Sequence, residues 1–185
     1  MIVLNNFASA FLRRGDDYLL MKRADNRKIS PGIWSDVGGH MEQYELNDPQ
    51  VTCLREIEEE TGITPDQVYN LALRYIIIRR FKDTIRQSYV YFGETDVQPS
   101  VETDEGELHW IRESELLDRM YSATFAAMIK HFLTMPDKEH VVVGVAGNDG
   151  GRCRVMWSRV EDFESLQSTL NTASFALKLA VFRYC

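Results

Sequence analysis

A chain of 185 residues is enough for one domain, or one domain with an addition, and for a proper buried core. Its composition, 44% hydrophobic, 11% aromatic and 26% charged, is that of an ordinary soluble globular protein. A net charge of -7 argues against long nucleic acid as a partner, because phosphate backbones are bound through excess Lys and Arg; a small phosphorylated substrate bridged by a divalent cation stays open.

Residues 2–12 and 17–23 read as strands joined by a turn at Gly15 and Asp16. The N-terminal apolar run is short and lacks a cationic leader, so no signal peptide is expected. Residues 24–32 are polar and carry Ser30-Pro31-Gly32, a loop signal. Asp48-Pro49 then opens a helix, with Asp48 suited to the N-cap and Pro49 to the first turn, and Gly62 suits the left-handed residue that closes it. Residues 69–81 and 85–93 alternate apolar and polar side chains, as paired strands do. An acidic loop leads to a short strand at Leu108–Ile111, and helices are expected over 113–119 and 122–134. Phe125, Met128, Ile129 and Phe132 recur at helical spacing, the mark of a core-facing stripe.

Beyond Pro136 comes an addition: strands at 140–146 and 153–158 about a turn at Asn148–Gly151, then a helix over 160–182. Its apolar stretch at 173–182 is interrupted by Lys178 and is too short to span a bilayer, so a cytoplasmic protein without a membrane partner is expected. Cys53, Cys153 and Cys185 share no CxxC spacing and suggest neither a disulfide framework nor a zinc site. Cys53 on a helix and Cys153 on a strand are expected to be buried or half-buried thiols. The element order predicts an α+β fold, an α/β/α sandwich with a mixed sheet covered by helices.

The segment that carries chemistry is residues 38–63. Glu56, Glu59 and Glu60 stand at i, i+3 and i+4 of the helix and project from one face. They crowd its C-terminal half, where the helix dipole already disfavours carboxylates. Such a cluster asks for a compensating cation, and its hard oxygens suit Mg²⁺ or Mn²⁺. Glu-rich helix ends are also found as plain solvated faces, and Glu58 between these residues fits that description. Gly38-Gly39 lets backbone approach a ligand closely, Glu45 adds a carboxylate before the helix, and Arg55 can hold a carboxylate or pin the preceding loop.

These residues resemble the Nudix box: glycine, five residues, glutamate, seven residues, then Arg-Glu-aliphatic-x-Glu-Glu-x-Gly-aliphatic. Arg55, Glu56, Ile57, Glu59, Glu60, Gly62 and Ile63 match its second half, and Gly39 and Glu45 match its first. Nine residues rather than seven separate Glu45 from Arg55, which points to Leu46 and Asn47 as an insertion in the loop. Asp48-Pro49 stands where many members carry a Thr-Pro cap, so the helix register is kept. Tyr44, where a glycine is common, also departs from the pattern.

The resemblance implies a Nudix hydrolase domain over residues 1–135, with residues 136–185 packed on it or in a dimer interface. It implies that Glu56, Glu59 and Glu60 bind Mg²⁺ or Mn²⁺, with the Gly38 carbonyl nearby, and that Arg55 and Glu45 brace the loop-helix-loop. Glu105, with Glu107 next, is the candidate for a further glutamate acting as ligand or base, alongside Glu59. Arg23, at a strand end, is a candidate for substrate phosphates. Trp34, Trp110 and Trp157 are expected to be core residues, His109 is expected to be structural, and His40 lies beside Gly39. The implied activity is hydrolysis of a phosphoanhydride in a nucleoside diphosphate-linked substrate. Ile77–Phe81 has neither the proline of some ADP-ribose hydrolases nor the tyrosine of some dinucleoside polyphosphate hydrolases, so a nucleoside triphosphate, intact or oxidised, is preferred. A non-catalytic nucleotide sensor and an isoprenoid diphosphate isomerase of the same fold are the rival functions.

Overall fold

β1 (Val3–Arg14) is the organising strand, and the alternation of its side chains explains the two-layered core around it. Ala8, Ala10 and Leu12 face one way; Phe7, Ser9 and Phe11 face the other. The structure is a computed structural model that describes residues 1–26, 31–101, 103, 105–135 and 139–162. β2 (Asp17–Arg23) returns antiparallel on residues 12–14 of β1. Where β2 diverges, β4 (Val37–His40) takes over the same edge, opposite residues 7–10, after the two-residue β3 (Trp34–Ser35) has paired with β2.

α1 (Pro49–Thr61) follows, then the long antiparallel pair β5 (Tyr69–Phe81) and β6 (Thr84–Glu94). β6 runs parallel to β1 along eleven paired residues, so the sheet is mixed. β7 (Gly106–Arg112) pairs with β2, α2 (Ala123–Thr134) crosses the sheet, and β8 (Val142–Asp149) and β9 (Arg152–Arg159) form the final hairpin. The main path of the sheet is β3-β2-β1-β6-β5-β8-β9.

α1 covers the Ala8 face, burying Cys53 and Ile57 against Leu12, Leu19 and Val37. α2 covers the Phe11 face, where Met128, Ile129 and Phe132 of the expected stripe meet Tyr75, Val90 and Leu116. This is the mixed sheet between helices that the element order predicts. Among the described residues no helix is long and apolar enough to cross a membrane.

Several local expectations are corrected. Glu113–Asp118 is a short 3-10 segment, not an α-helix. Asp48 precedes α1, but its side chain makes no cap hydrogen bond; its carbonyl accepts from the Val51 amide at 3.1 Å instead. Gly62 does close the helix in the left-handed conformation, with φ of 75°. Cys53 is buried, but Cys153 is exposed, because β9 is an edge strand and residue 153 lies near its free tip. Residues 160–162 are not helical, and the rest of the helix expected over 160–182 lies outside the described residues, as does Cys185.

The hairpin of β8 and β9 extends the same sheet, since β8 runs parallel to β5. It is keyed to the α2 face by Trp157, whose ring lies over Gly144, its cross-strand neighbour. That ring stacks on His131 at 4.6 Å and meets Tyr75 edge-on at 5.6 Å. A Cβ on residue 144 would fall 2.2 Å from the Trp157 ring. Gly144→Ala is therefore expected to cost about 1–3 kcal/mol by overpacking. Differential scanning calorimetry should show the main unfolding transition move down by roughly 3–10 °C; an unmoved main transition would mean that the hairpin unfolds independently.

Candidate active site

The helix register of α1 brings Arg55 beneath the loop that enters it, and there its guanidinium gathers three pieces of chain. Nε donates to Glu45 Oε1 at 2.9 Å and one Nη2 hydrogen to Glu45 Oε2 at 3.1 Å, a two-point fork. Nη2 also donates to the His40 carbonyl at 3.1 Å, while Nη1 donates to Glu56 at 2.9 Å and Glu59 at 3.1 Å. Glu45 is only 2% exposed and accepts further from Thr52 Oγ1 and the Glu42 amide, both at 2.8 Å. The Arg55 hydrogen bond, working against burial, holds the Glu45 carboxyl at about 2, below its ordinary 4.5, and the same contact raises Arg55 further above its ordinary range. Leu46 and Asn47 are exposed between Glu45 and Asp48, so the longer loop leaves the fork undisturbed. Tyr44 is exposed as well.

The three helix glutamates occupy different environments. Glu60 is 9% exposed and accepts from the Gly38 amide at 3.0 Å. Burial pushes its carboxyl up to about 8, with the charges of Glu56, Glu105 and Asp36 adding to the effect. Glu56 is half-buried against Gly39, where a Cβ would lie 2.5 Å from both carboxylate oxygens. Burial raises its pKa, and Glu59 and Glu105 contribute. Glu59 stands at the solvent rim, its side chain 59% exposed. Gly39 thus permits this close approach: a larger residue would push the Glu56 carboxylate aside.

Glu105, just before β7, acts on both Glu56 and Glu60 and lies 3.8 Å from Arg23. Glu107 does not join this group; it is exposed and paired with His109 at 3.3 Å. The Nε of Arg23 is buried without a hydrogen-bond partner among the described residues. A cavity of about 340 Å³ opens beside it, between Lys22, Asn26 and Thr103. A larger cavity of about 500 Å³ lies elsewhere, lined by Arg13, Asn70 and Glu94, and contains none of the box residues. Trp34, Trp110 and Trp157 are half-buried against the two cores.

Two features escape the sequence pattern. Ser9, the polar residue between Ala8 and Ala10, donates to Asp36 at 2.5 Å, and burial lifts the Asp36 carboxyl to about 6. Thr52, on the first turns of α1, completes the shell of Glu45. The hint for Asp36 is its place two residues before Gly38, as the one charged residue between Ile33 and Gly39.

Among the described residues no three His, Cys, Asp or Glu side chains stand at metal-coordinating distances, because Arg55 holds Glu56 and Glu59. The donor chemistry nevertheless fits a hard divalent cation. Glu56 and Glu60 are carboxylates taken out of water next to other carboxylates, and a bound cation would relieve both costs.

The chain matches the family model described as NUDIX domain over residues 5–132. Solved structures share the fold. The mutator MutT protein of Bacillus halodurans is 21% identical with a TM-score of 0.68, covering 83% of this chain and 97% of its own. The MutT protein of Methanosarcina mazei Go1 is 20% identical with a TM-score of 0.60, covering 71% and 94%. An Ap4A hydrolase of C. elegans is 15% identical with a TM-score of 0.53, covering 71% and 96%. No curated protein matches the chain in sequence.

Glu45→Gln keeps the shape and removes the charge that Arg55 grips, so urea unfolding at pH 7 should show a loss of about 1.5–3 kcal/mol. The folded-state pKa is depressed, so this contribution is complete above the ordinary value of 4.5 and lost as pH falls through about 2. The stability gap between the two proteins should therefore close across that interval. A gap that stays constant with pH would show that the charge of Glu45 is not what stabilises the loop.

Proposed function

The chain belongs to the Nudix hydrolase family, enzymes that hydrolyse nucleoside diphosphate-linked substrates, and we propose from that premise a metal-dependent attack of water on a nucleoside triphosphate, intact or oxidised, giving monophosphate and pyrophosphate. The observation that carries the metal dependence is the pair Glu56 and Glu60, half-buried and buried respectively and repelling on one helix face, with Glu59 at its rim. Mg²⁺ or Mn²⁺ held by these three residues, with the Gly38 carbonyl beside them, would neutralise developing phosphate charge and lower the pKa of a bound water.

The chain's own groups have separate parts in this proposal. Arg55 fixes the loop through Glu45 and His40, so that Gly38 and Gly39 stay close to the glutamates. Nη1 of Arg55 would share the Glu56 and Glu59 carboxylates with a cation held by the cluster. Glu59 or Glu105 accepts the proton of the attacking water; both are accessible enough to pass it on to solvent. Arg23 steadies substrate phosphate from the strand end opposite. The preference for a triphosphate rests on residues 77–81, which lack the proline and tyrosine of two other substrate classes. The acidic net charge supports a small nucleotide over a long nucleic acid, in a cytoplasmic setting.

The test is release of phosphate or pyrophosphate from a nucleotide panel, with and without Mg²⁺, for the protein and for Glu59→Gln. The substitution should lower turnover on the order of a hundredfold or more while leaving the melting temperature nearly unchanged, because Glu59 is exposed. Near-normal turnover would remove Glu59 from the chemistry. Nucleotide binding without any turnover would favour the sensor.

A further inference from the structure

The face of the sheet that carries Phe11 and Val90 changes character toward the start of β1. One register row holds Phe7, Ser88 and Ile77; the next holds Asn5, Arg86, Arg79 and Ala146. Arg79 and Arg86 are thus direct cross-strand neighbours on one face, a like-charge pair that costs stability. Neither is solvated freely, since both are half-buried.

Arg86 is also held in place. Its guanidinium lies 3.5 Å over the ring of Phe7, its Nε donates to Ser88 Oγ at 3.3 Å, and Phe7 is backed by the His40 ring at 3.9 Å. Its terminal nitrogens, and the whole guanidinium of Arg79, make no hydrogen bond or ion pair with any described residue. Burial, then the charge of Arg79, bring Arg86 down to about 10, with Arg23 adding and Asp36 opposing. Arg79 and Arg23 therefore both act on Arg86, with Asp36 and the Glu105 partner of Arg23 as acidic neighbours. The stack Arg86-Phe7-His40 ends one residue from Gly39, which touches Glu56. The arginines lie on the sheet face opposite α1, but the two groups share neighbours: Asp36 acts on both Arg86 and Glu60, and Arg23 lies 3.8 Å from Glu105.

We propose that Arg79 and Arg86, with Arg23 beside them, form an anion subsite that takes a phosphate of the substrate other than the one that water attacks. The inference rests on the hydrolase function proposed above and narrows it to substrates with a phosphate beyond the bond that is cleaved. Both arginines offer planar donor forks suited to phosphate oxygens, and the bound anion relieves the repulsion between them.

The experiment is calorimetric titration of inorganic pyrophosphate into the full chain in EDTA, where no divalent metal contributes. The proteins are the unsubstituted chain, Arg79→Gln, Arg86→Gln and, as a control of equal charge change, Arg152→Gln on the exposed edge strand β9. Arg79→Gln and Arg86→Gln should each weaken binding about tenfold or more, with Arg152→Gln close to the unsubstituted protein. Without ligand, Arg79→Gln should melt no lower than the unsubstituted chain, since it removes a like-charge contact, whereas Arg86→Gln also gives up the Phe7 stack. In Mg²⁺ they should raise KM for a triphosphate more than they lower kcat. No binding by the unsubstituted chain, an equal loss in Arg152→Gln, or a fall in melting temperature with affinity unchanged would overturn the subsite. Arginine-dependent binding without turnover of any nucleotide would instead overturn the hydrolase proposal alone.

Discussion

Every N–H of Arg55 has an acceptor: two go to Glu45, one to the His40 carbonyl, and one each to Glu56 and Glu59. The guanidinium offers five donors in a fixed plane, so satisfying all of them sets the relative positions of β4, the connecting loop and α1 together. Lysine could supply the charge but not the plane. The other features of the site depend on this joint. Gly39 can lie against Glu56, and Gly38 can donate to Glu60, only because the loop between β4 and α1 is held where Arg55 reaches it.

The joint also explains how a carboxylate cluster survives on a folded helix. Glu45 is buried yet stays charged, because its oxygens receive the Arg55 fork, a hydroxyl and a backbone amide. Glu60 is buried with a single backbone donor and sits far above its ordinary pKa. Two glutamates fifteen residues apart in sequence thus end on opposite sides of neutrality, through the number and charge of their donors. The first is a structural anion already neutralised within the chain. The second, with Glu56, is an unmet demand for positive charge, and that difference separates bracing from binding in the same motif.

Much of this was legible in the residues themselves. Spacing gave the shared face of Glu56, Glu59 and Glu60, Gly62 gave the end of the helix, and the alternation over 69–93 gave the central strand pair. What spacing could not give was whether each of those glutamates is buried, since that depends on β4 packing across the helix. Asp48 shows a further limit: a residue type suited to capping stands before the helix, yet its side chain makes no cap hydrogen bond. Cys153 was misjudged because alternation within a strand does not reveal that the strand lies at an edge. Arg79 and Arg86 were invisible as a pair, because their juxtaposition is a matter of register between two strands.

Asp36 links the two charge clusters. It is partly buried between the carboxylates of the helix and the arginines of the sheet, and it acts on Glu60 and Cys53 from one side and on Arg86 from the other. A leucine at this position would spare the desolvation of a carboxyl. The chain keeps an acid there instead, with the Ser9 hydroxyl as its donor. Its negative charge opposes the effect of Arg79 and Arg23 on Arg86, while adding to the repulsion felt by Glu60. Each half of the site is therefore made less comfortable, or only partly comforted, by the residue that lies between them. A ligand that carries cations to the glutamates and phosphate to the arginines satisfies both at once, which is the physical reason to treat the two charge clusters as one site.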